Sequence, residues 1–412
     1  MNADDVPTGE TMVSLCGACA GLGDLAGKFR YRADRWCAGM VAIRAAKAEG
    51  KSARRSWLRA RRDGASVMAK GEPHMARFAA IGLDHRHIYD LTEGLLAAGA
   101  ACVGYNPDTT DPRVLAGFQK RFPHVPAVER DRLLDDPSID FVVISARPSD
   151  RAALAVAAMR RGKDVMADKP GVTTAEQLAE VQAAVAETGR IWSVCFSERF
   201  IKPSAAKAFQ LVRDGAIGQV VQTVGLGPHR LNRALRPSWF FDKPSYGGII
   251  NDIGCHQIDQ FLAFSGAEDA EIVSSTIGCF GTEPPGFEDF AEITFQTPSV
   301  RGYARIDWFT ADGLPTWGDG RLIVLGTQGT IEVRKNVDIA GREGGDHVFL
   351  VDGAATRHIA CEDMTVTYFA DFLADIAAGQ ARAVPQGHVF TVCRLALEAQ
   401  AKASRFVAAV RP

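Results

Sequence analysis

The stretch RFAAIGLDHRHIYDL, Arg77 to Leu91, decides how this sequence is read. Its first seven residues make an apolar run suited to a buried strand, Gly82 permits a tight turn, and HIYDL opens a spacing of helical period. A strand, a glycine turn and a helix in that order begin a dinucleotide-binding unit. The G-x-G-x-x-G pattern is incomplete, because Asp84 stands at the second glycine position and His85, Arg86 and His87 follow it. The stretch alone leaves three readings: a damaged nucleotide loop, an H-x-H metal pair, or an unusual loop that still holds a cofactor.

The residues downstream favour a nucleotide fold. ACVGYN, DFVVIS, DVMADKP and IWSVCFSERF read as strands, with helical spacing in DPRVLAGFQKRFP, SDRAALAVAAMRRG and TTAEQLAEVQAAVAETG between them. This alternation predicts an N-terminal Rossmann domain, a doubly wound parallel sheet, over residues 75–196. Beyond about residue 200 the strands are β-branched and separated by Gly, Pro and Asp turns, with one helix at GGIINDIGCHQIDQFLAFSG. Residues 197–412 are therefore expected to form an α+β domain with a large, mostly antiparallel open sheet and two closing helices. Residues 1–74 lack strand alternation and read as an extension, or as an upstream stretch translated from too early a start. Their Cys16-Gly-Ala-Cys19 has no second pair beside it, so no function is assigned to it.

Bulk properties remove several function classes. The 412 residues suffice for two domains, and a formal net charge of −2 argues against a nucleic-acid surface or a polybasic membrane face. No apolar run approaches the ~18 residues of a membrane span. Asp4, Asp5 and Glu10 stand where a secretory signal carries positive charge. Nine scattered cysteines do not form a disulfide framework, so a reducing, cytoplasmic setting is expected.

Two segments carry candidate chemistry. In GGIINDIGCHQID, Gly247 and Gly248 allow a close backbone approach, and Asp252 and His256 lie four apart on one helical face, with Asp259 three further on. A carboxylate beside an imidazole orients it and raises its basicity; a capped helix with a satisfied core histidine has the same spacing. In DVMADKP, Lys169 stands at the carboxyl end of a parallel strand, the edge where such sheets bind ligands. Pro170 holds Lys169 extended and makes a cis bond available. A surface lysine is the plainer alternative for Lys169 taken alone.

In this order and spacing, DKP and GGIINDIGCHQID resemble the E-K-P and G-G-G-x-x-x-D-x-G-x-H-x-x-D motifs of the Gfo/Idh/MocA family of NAD(P)-dependent oxidoreductases. The resemblance covers roughly residues 76–410. It implies NAD or NADP as cofactor and a sugar, inositol or related polyol as substrate. Lys169, Asp252 and His256 would be catalytic, with His256 taking the hydroxyl proton. Gly82, Leu83, His85, Arg86, His87, Asn106, Ser145, Ala146, Pro148, Asp168 and Lys169 would line the cofactor. Arg199 and Trp239 would join Lys169, Asp252 and His256 at the substrate. His229, Arg230, Asn232, Arg233 and Arg236 suggest a donor-rich pocket or lid, with a solvated loop as the alternative. No metal is expected, since two imidazoles are too few ligands. A homodimer or homotetramer through the C-terminal sheet is expected, with no nucleic-acid or membrane partner.

Three departures stand out: Asp84 at a loop glycine, Asn106 where an acidic residue usually accepts from the adenine ribose, and Asp168 in place of Glu. Asp84 would repel a pyrophosphate, so it is expected to point away and cap the next helix, leaving the phosphates to the helix N-terminus with His85, Arg86 or His87. Two other functions fit the same fold: an NAD-dependent enzyme cleaving glycosidic bonds by transient oxidation and elimination, and a non-catalytic sugar or cofactor sensor.

Overall fold

The apolar run at Arg77 becomes strand β1 (Arg77–Leu83), whose last six residues are buried. The structure, a computed structural model, describes residues 75–407 except 282, 283 and 285; Cys16, Cys19 and the rest of the 1–74 stretch lie outside them. β1 pairs in parallel with β2 (Ala101–Tyr105) and β3 (Phe141–Ser145), and β4 (Asp164–Asp168) and β5 (Trp192–Cys195) extend the sheet in the order β2-β1-β3-β4-β5. Helices α1 (His87–Ala97), α2 (Pro112–Arg121), α3 (Arg130–Asp135), α4 (Pro148–Arg160) and α5 (Ala175–Thr188) connect the strands. Every residue of β3 and β4 is buried, as parallel strands covered on both faces require. The expected parallel, doubly wound sheet is present.

The switch from strand to helix at Gly82 has a steric cause. Gly82 adopts φ +66°, and a Cβ there would lie 2.4 Å from the Ala146 Cβ. Only glycine lets the β1 end cross the β3 end this closely.

Past β5 the reading of a strand through SERF is corrected. The strand stops at Cys195, and Ser197–Phe200 turn into a short helix, α6, followed by α7 (Pro203–Arg213). The nine-stranded sheet is ordered β13-β12-β11-β10-β6-β9-β8-β7-β14. Its members are β6 (Val220–Pro228), β7 (Glu271–Cys279), β8 (Phe290–Gln296), β9 (Arg301–Asp307), β10 (Arg321–Gly326), β11 (Gly329–Arg334), β12 (His347–Asp352), β13 (Thr356–Ala360) and β14 (Ser404–Val407). The β6–β9 and β14–β7 pairs are parallel and the others antiparallel, so the sheet is mixed but mostly antiparallel.

Alternation along β8 places Ala291, Ile293 and Phe295 in the core. That core face packs against α9 (Cys255–Ser265), entered from the short α8 (Lys243–Tyr246) through a π-helical turn at Ile250–Gly254. The outer face leaves Leu325 and Val351 41% and 45% exposed.

The closing helices α10 (Tyr368–Ala378) and α11 (Gln386–Lys402) reach back to the first sheet. Phe372 meets Phe141 edge-on at 5.4 Å, and Gln386 accepts from the Trp192 amide at 2.9 Å. The described residues from 75 to 407 thus form one compact unit in which both sheets contribute to a continuous core. Among the described residues no helix is long and apolar enough to cross a membrane.

Candidate active site

The carboxyl ends of β1 and β4, the N-terminus of α1, the segment 229–240 and the start of α9 enclose a cavity of about 600 Å³. Ligands of open parallel sheets bind at such strand ends. Of the residues singled out from sequence, Asp84, His85, Arg86, His87, Asp168, Lys169, Trp239, Asp252 and His256 line it. His229, Arg230, Asn232 and Arg236 line it as well, so the 229–236 run faces the cavity at those four positions.

Lys169 is 6% exposed and its Nζ donates to both the Asp252 Oδ1 and the Asp252 carbonyl at 3.0 Å. The Lys169–Pro170 bond is cis. Burial alone would lower the ammonium, but the neighbouring groups, Asp252 foremost and Asp168 with it, together hold Lys169 above its ordinary value. The same contact holds Asp252 below the usual carboxylate range against the opposing effect of burial.

Asp252 is therefore committed to Lys169, and the expectation that it orients His256 is corrected. The π-helical turn at Ile250–Gly254 replaces the regular helix on which the four-residue spacing was argued. The carboxylate acting on His256 is Glu198, from the SERF segment. Burial takes the His256 imidazole down to about 3, with Glu198 opposing, so the ring is neutral at neutral pH. The His256 Nδ1 and the Glu198 Oε1 are both buried without a hydrogen-bond partner. The Glu198 Oε2 is satisfied by Lys335 at 2.7 Å and by Gln257 at 3.2 Å. Sequence reading passed over Glu198 because SERF was taken as a strand and only its arginine was matched.

Arg199, expected at the substrate, is spent elsewhere. Its Nε and Nη2 grip the fully buried Asp259 carboxylate at 2.7 and 2.6 Å, and His388 completes the cluster at 2.7 Å from Asp259. A two-pronged arginine–carboxylate pair of this kind uses the guanidinium's fork geometry fully. Arg199 does not line the cavity.

Gly82, Leu83, Asn106, Ser145, Ala146 and Pro148, expected along the cofactor, are buried beneath the strand ends and do not line the cavity. The Ser145 carbonyl accepts from the Asp84 and His85 amides at 3.2 and 2.9 Å. Asn106 donates to Asp108 at 3.4 Å. Asp84 lines the cavity and does not cap α1, which corrects that expectation. Its Oδ1 accepts from the Thr109 hydroxyl and from the Thr110 amide and hydroxyl, and its Oδ2 accepts from the Arg147 amide. The second glycine is thus replaced by a carboxylate that ties together the loops following β1, β2 and β3.

What remains for an anionic cofactor is the α1 end. Arg86 is exposed there, at the N-cap, and the first-turn amides of α1 have no side-chain cap. Arg236, also in the cavity lining, is half-buried, and desolvation holds it below its ordinary value. These donors, with Lys169 at the strand edge, fit the phosphates and nicotinamide end of a dinucleotide.

The buried imidazoles set an acid limit on stability. Burial lowers His85 to about 3, His229 to about 4 and His256 to about 3. In the unfolded chain these groups protonate near pH 6.5. Between the two values the unfolded state binds more protons, so stability rises with pH. The expected result is a melting temperature that falls steadily as pH drops from about 6.5 to about 4. Glu198 and Asp259, whose folded values are depressed despite burial, extend the loss below about pH 4.5. A melting temperature flat from pH 6.5 to 4 contradicts this reading.

Comparison with known proteins agrees with the architecture. Residues 58–196 match an oxidoreductase family with an NAD-binding Rossmann fold, and residues 205–332 match the GFO/IDH/MocA C-terminal domain. Scyllo-inositol 2-dehydrogenase (NAD⁺) of Bacillus subtilis (strain 168) is 26% identical over 305 residues, covering 70% of this chain and 83% of that protein. D-xylose dehydrogenase of Paenarthrobacter nicotinovorans is 27% identical over 135 residues, covering 32% of this chain but only 34% of that protein. The crystal structure of a protein from Erwinia carotovora atroseptica SCRI1043, described as an oxidoreductase, superposes with a TM-score of 0.77. That protein is 44% identical, and the match covers 80% of this chain and 99% of its own. The two family matches, in chain order on the two sheets, and the full-length likeness to the Erwinia protein make this chain a member of the Gfo/Idh/MocA family of NAD-binding oxidoreductases.

Proposed function

We propose that the protein is an NAD(P)-dependent dehydrogenase acting on a secondary hydroxyl of a sugar, inositol or related polyol. The observation that carries this reading is one cavity lined by both Lys169 and His256, one a cation anchored by Asp252, the other a neutral imidazole beside Glu198. A dinucleotide with its phosphates at the α1 end and its nicotinamide toward Lys169 and His256 would supply the hydride acceptor, which the protein itself lacks.

The chain's residues handle the proton and the charge. His256, neutral at working pH, takes the hydroxyl proton as the carbon–hydrogen bond breaks. Lys169 donates a hydrogen bond to the same oxygen and stabilises the charge that develops on it. Asp252 acts through Lys169 by fixing its ammonium, and Glu198 acts through His256 by favouring the imidazolium that forms. Trp239 and Trp308 give the cavity apolar walls that limit water. Arg86 at the α1 N-terminus receives the cofactor phosphates.

The relation to scyllo-inositol 2-dehydrogenase supports a polyol substrate. The test is absorbance at the reduced nicotinamide band with NAD⁺ or NADP⁺ across inositols, sugars and sugar acids. Net reduced cofactor with at least one polyol is the expected result. Consumption of a glycoside with no net reduction would replace this reading by transient oxidation and elimination.

The exposed Leu325 and Val351 on the outer sheet face support self-association through that face, as a homodimer or homotetramer.

A further inference from the structure

His85, His87 and Asp168 form a cluster that the proton chemistry above leaves unused. The Asp168 Oδ2 lies 2.8 Å from the His85 Nδ1, and its Oδ1 lies 2.8 Å from the His87 Nδ1. The two rings meet edge to face with centroids 4.1 Å apart. One ligand atom from each residue falls within 4.8 Å of the other two. From sequence, two imidazoles were too few for a metal. Folding adds the carboxylate, because it brings the end of β4 beside the α1 N-terminus.

The cluster is a poor phosphate site. Imidazoles whose N–H groups are turned onto a carboxylate leave only lone pairs for a ligand, and a carboxylate between them repels an anion. Two imidazole nitrogens and a carboxylate within 4.8 Å of one another are instead the donor set of open transition-metal sites. We propose that His85, His87 and Asp168 bind one divalent transition-metal ion, leaving a coordination position open to the cavity.

On binding, each ring would present Nδ1 to the ion and carry its proton on Nε2, so that the ion takes the place of the two Nδ1–carboxylate contacts. The surroundings already hold the carboxylate from behind. Ser145 Oγ and Arg151 Nη2 both donate to the Asp168 Oδ2 at 3.0 Å, and the Lys169 amide donates to Oδ1 at 2.7 Å. Outer donors of this kind fix the orientation of a metal-ligating carboxylate. Arg151, 1% exposed, also neutralises Asp168. The site therefore selects by imidazole preference rather than by negative charge, favouring Zn²⁺, Co²⁺ or Ni²⁺ over Mg²⁺ or Ca²⁺.

The test uses the full-length protein without cofactor, stripped with a chelator and titrated with Co²⁺, with absorbance and elemental analysis as readouts. Cys16→Ser/Cys19→Ser is the background, so that the C-x-x-C cannot supply the signal. One Co²⁺ per chain is expected, displaced by Zn²⁺ and unaffected by excess Mg²⁺. His85→Ala and His87→Ala should each weaken binding at least ~100-fold, given that even outer-shell changes cost 10–100-fold. His358→Ala, which breaks the separate His347–His358 pair at 3.0 Å, should change nothing. No stoichiometric Co²⁺ in the parent protein would overturn the proposal, as would loss of binding in His358→Ala but not in His85→Ala. Because the titration needs no turnover, its outcome is independent of whether the dehydrogenase reading holds.

Discussion

Lys169→Met should lower turnover by at least about 100-fold while cofactor still binds. Lys169 is the cation at the β4 edge, and the proposed mechanism asks it to stabilise negative charge on the substrate oxygen. General acid–base and charge-stabilising groups are worth roughly 10²–10⁴-fold each. Methionine keeps the length and apolar stem of the side chain but removes the donor. It also leaves Asp252 buried without its partner. Lys169→Met/Asp252→Asn therefore separates the two effects: the double variant should regain stability but not rate. His256→Asn should cost turnover on the same scale, and a kcat within threefold of wild type for either single variant contradicts the assignment.

Glu198→Ala should strongly destabilise the fold. Glu198 is 5% exposed and Lys335 2% exposed, and they meet at 2.7 Å. Removing one partner of a buried pair strands the other charge and typically costs about 3–5 kcal/mol. Gln260 Oε1 accepts from the same ammonium at 3.0 Å, which limits the loss. Glu198→Leu/Lys335→Met, which removes both charges, should recover most of it. Chemical denaturation of the three proteins measures the difference, and a Glu198→Ala loss below about 1 kcal/mol would show the pair to be hydrated. Glu198→Gln keeps a neutral polar group and should leave the fold intact. Because it withdraws the negative charge beside His256, it should lower kcat more than it raises KM.

The architecture was legible where one physical signal dominated. Fully buried parallel strands leave apolar runs such as FVVIS, and amphipathic strands leave alternation such as FAEITFQ, so both sheets could be read from pattern. The chemistry-bearing segments were legible as a set, because Lys169 and His256 sit in motifs whose order matches a known family. Their partners were not. Asp252 and His256 share a helical spacing on paper, but the π-helical turn before α9 and the approach of Lys169 assign Asp252 to the lysine. Glu198 acts electrostatically on His256 across a chain separation that no local spacing encodes. Arg199 carries a motif match yet serves Asp259, since a fully buried carboxylate needs a fixed cation more than the cavity does. At the β1 turn, the substitution of Asp84 for glycine signalled an altered loop, but its bonds to Thr109, Thr110 and Arg147 depend on loops brought together only by the sheet.

The central claim is direct hydride transfer from a polyol carbon to a nicotinamide held in this cavity. The most direct measurement uses a polyol that reduces the cofactor, deuterated at the reacting carbon, with the reduced cofactor analysed by mass spectrometry and NMR. The account predicts one deuterium at nicotinamide C4 for each product formed, with a single stereochemistry. Label released to water, or substrate converted without any labelled reduced cofactor, would contradict it.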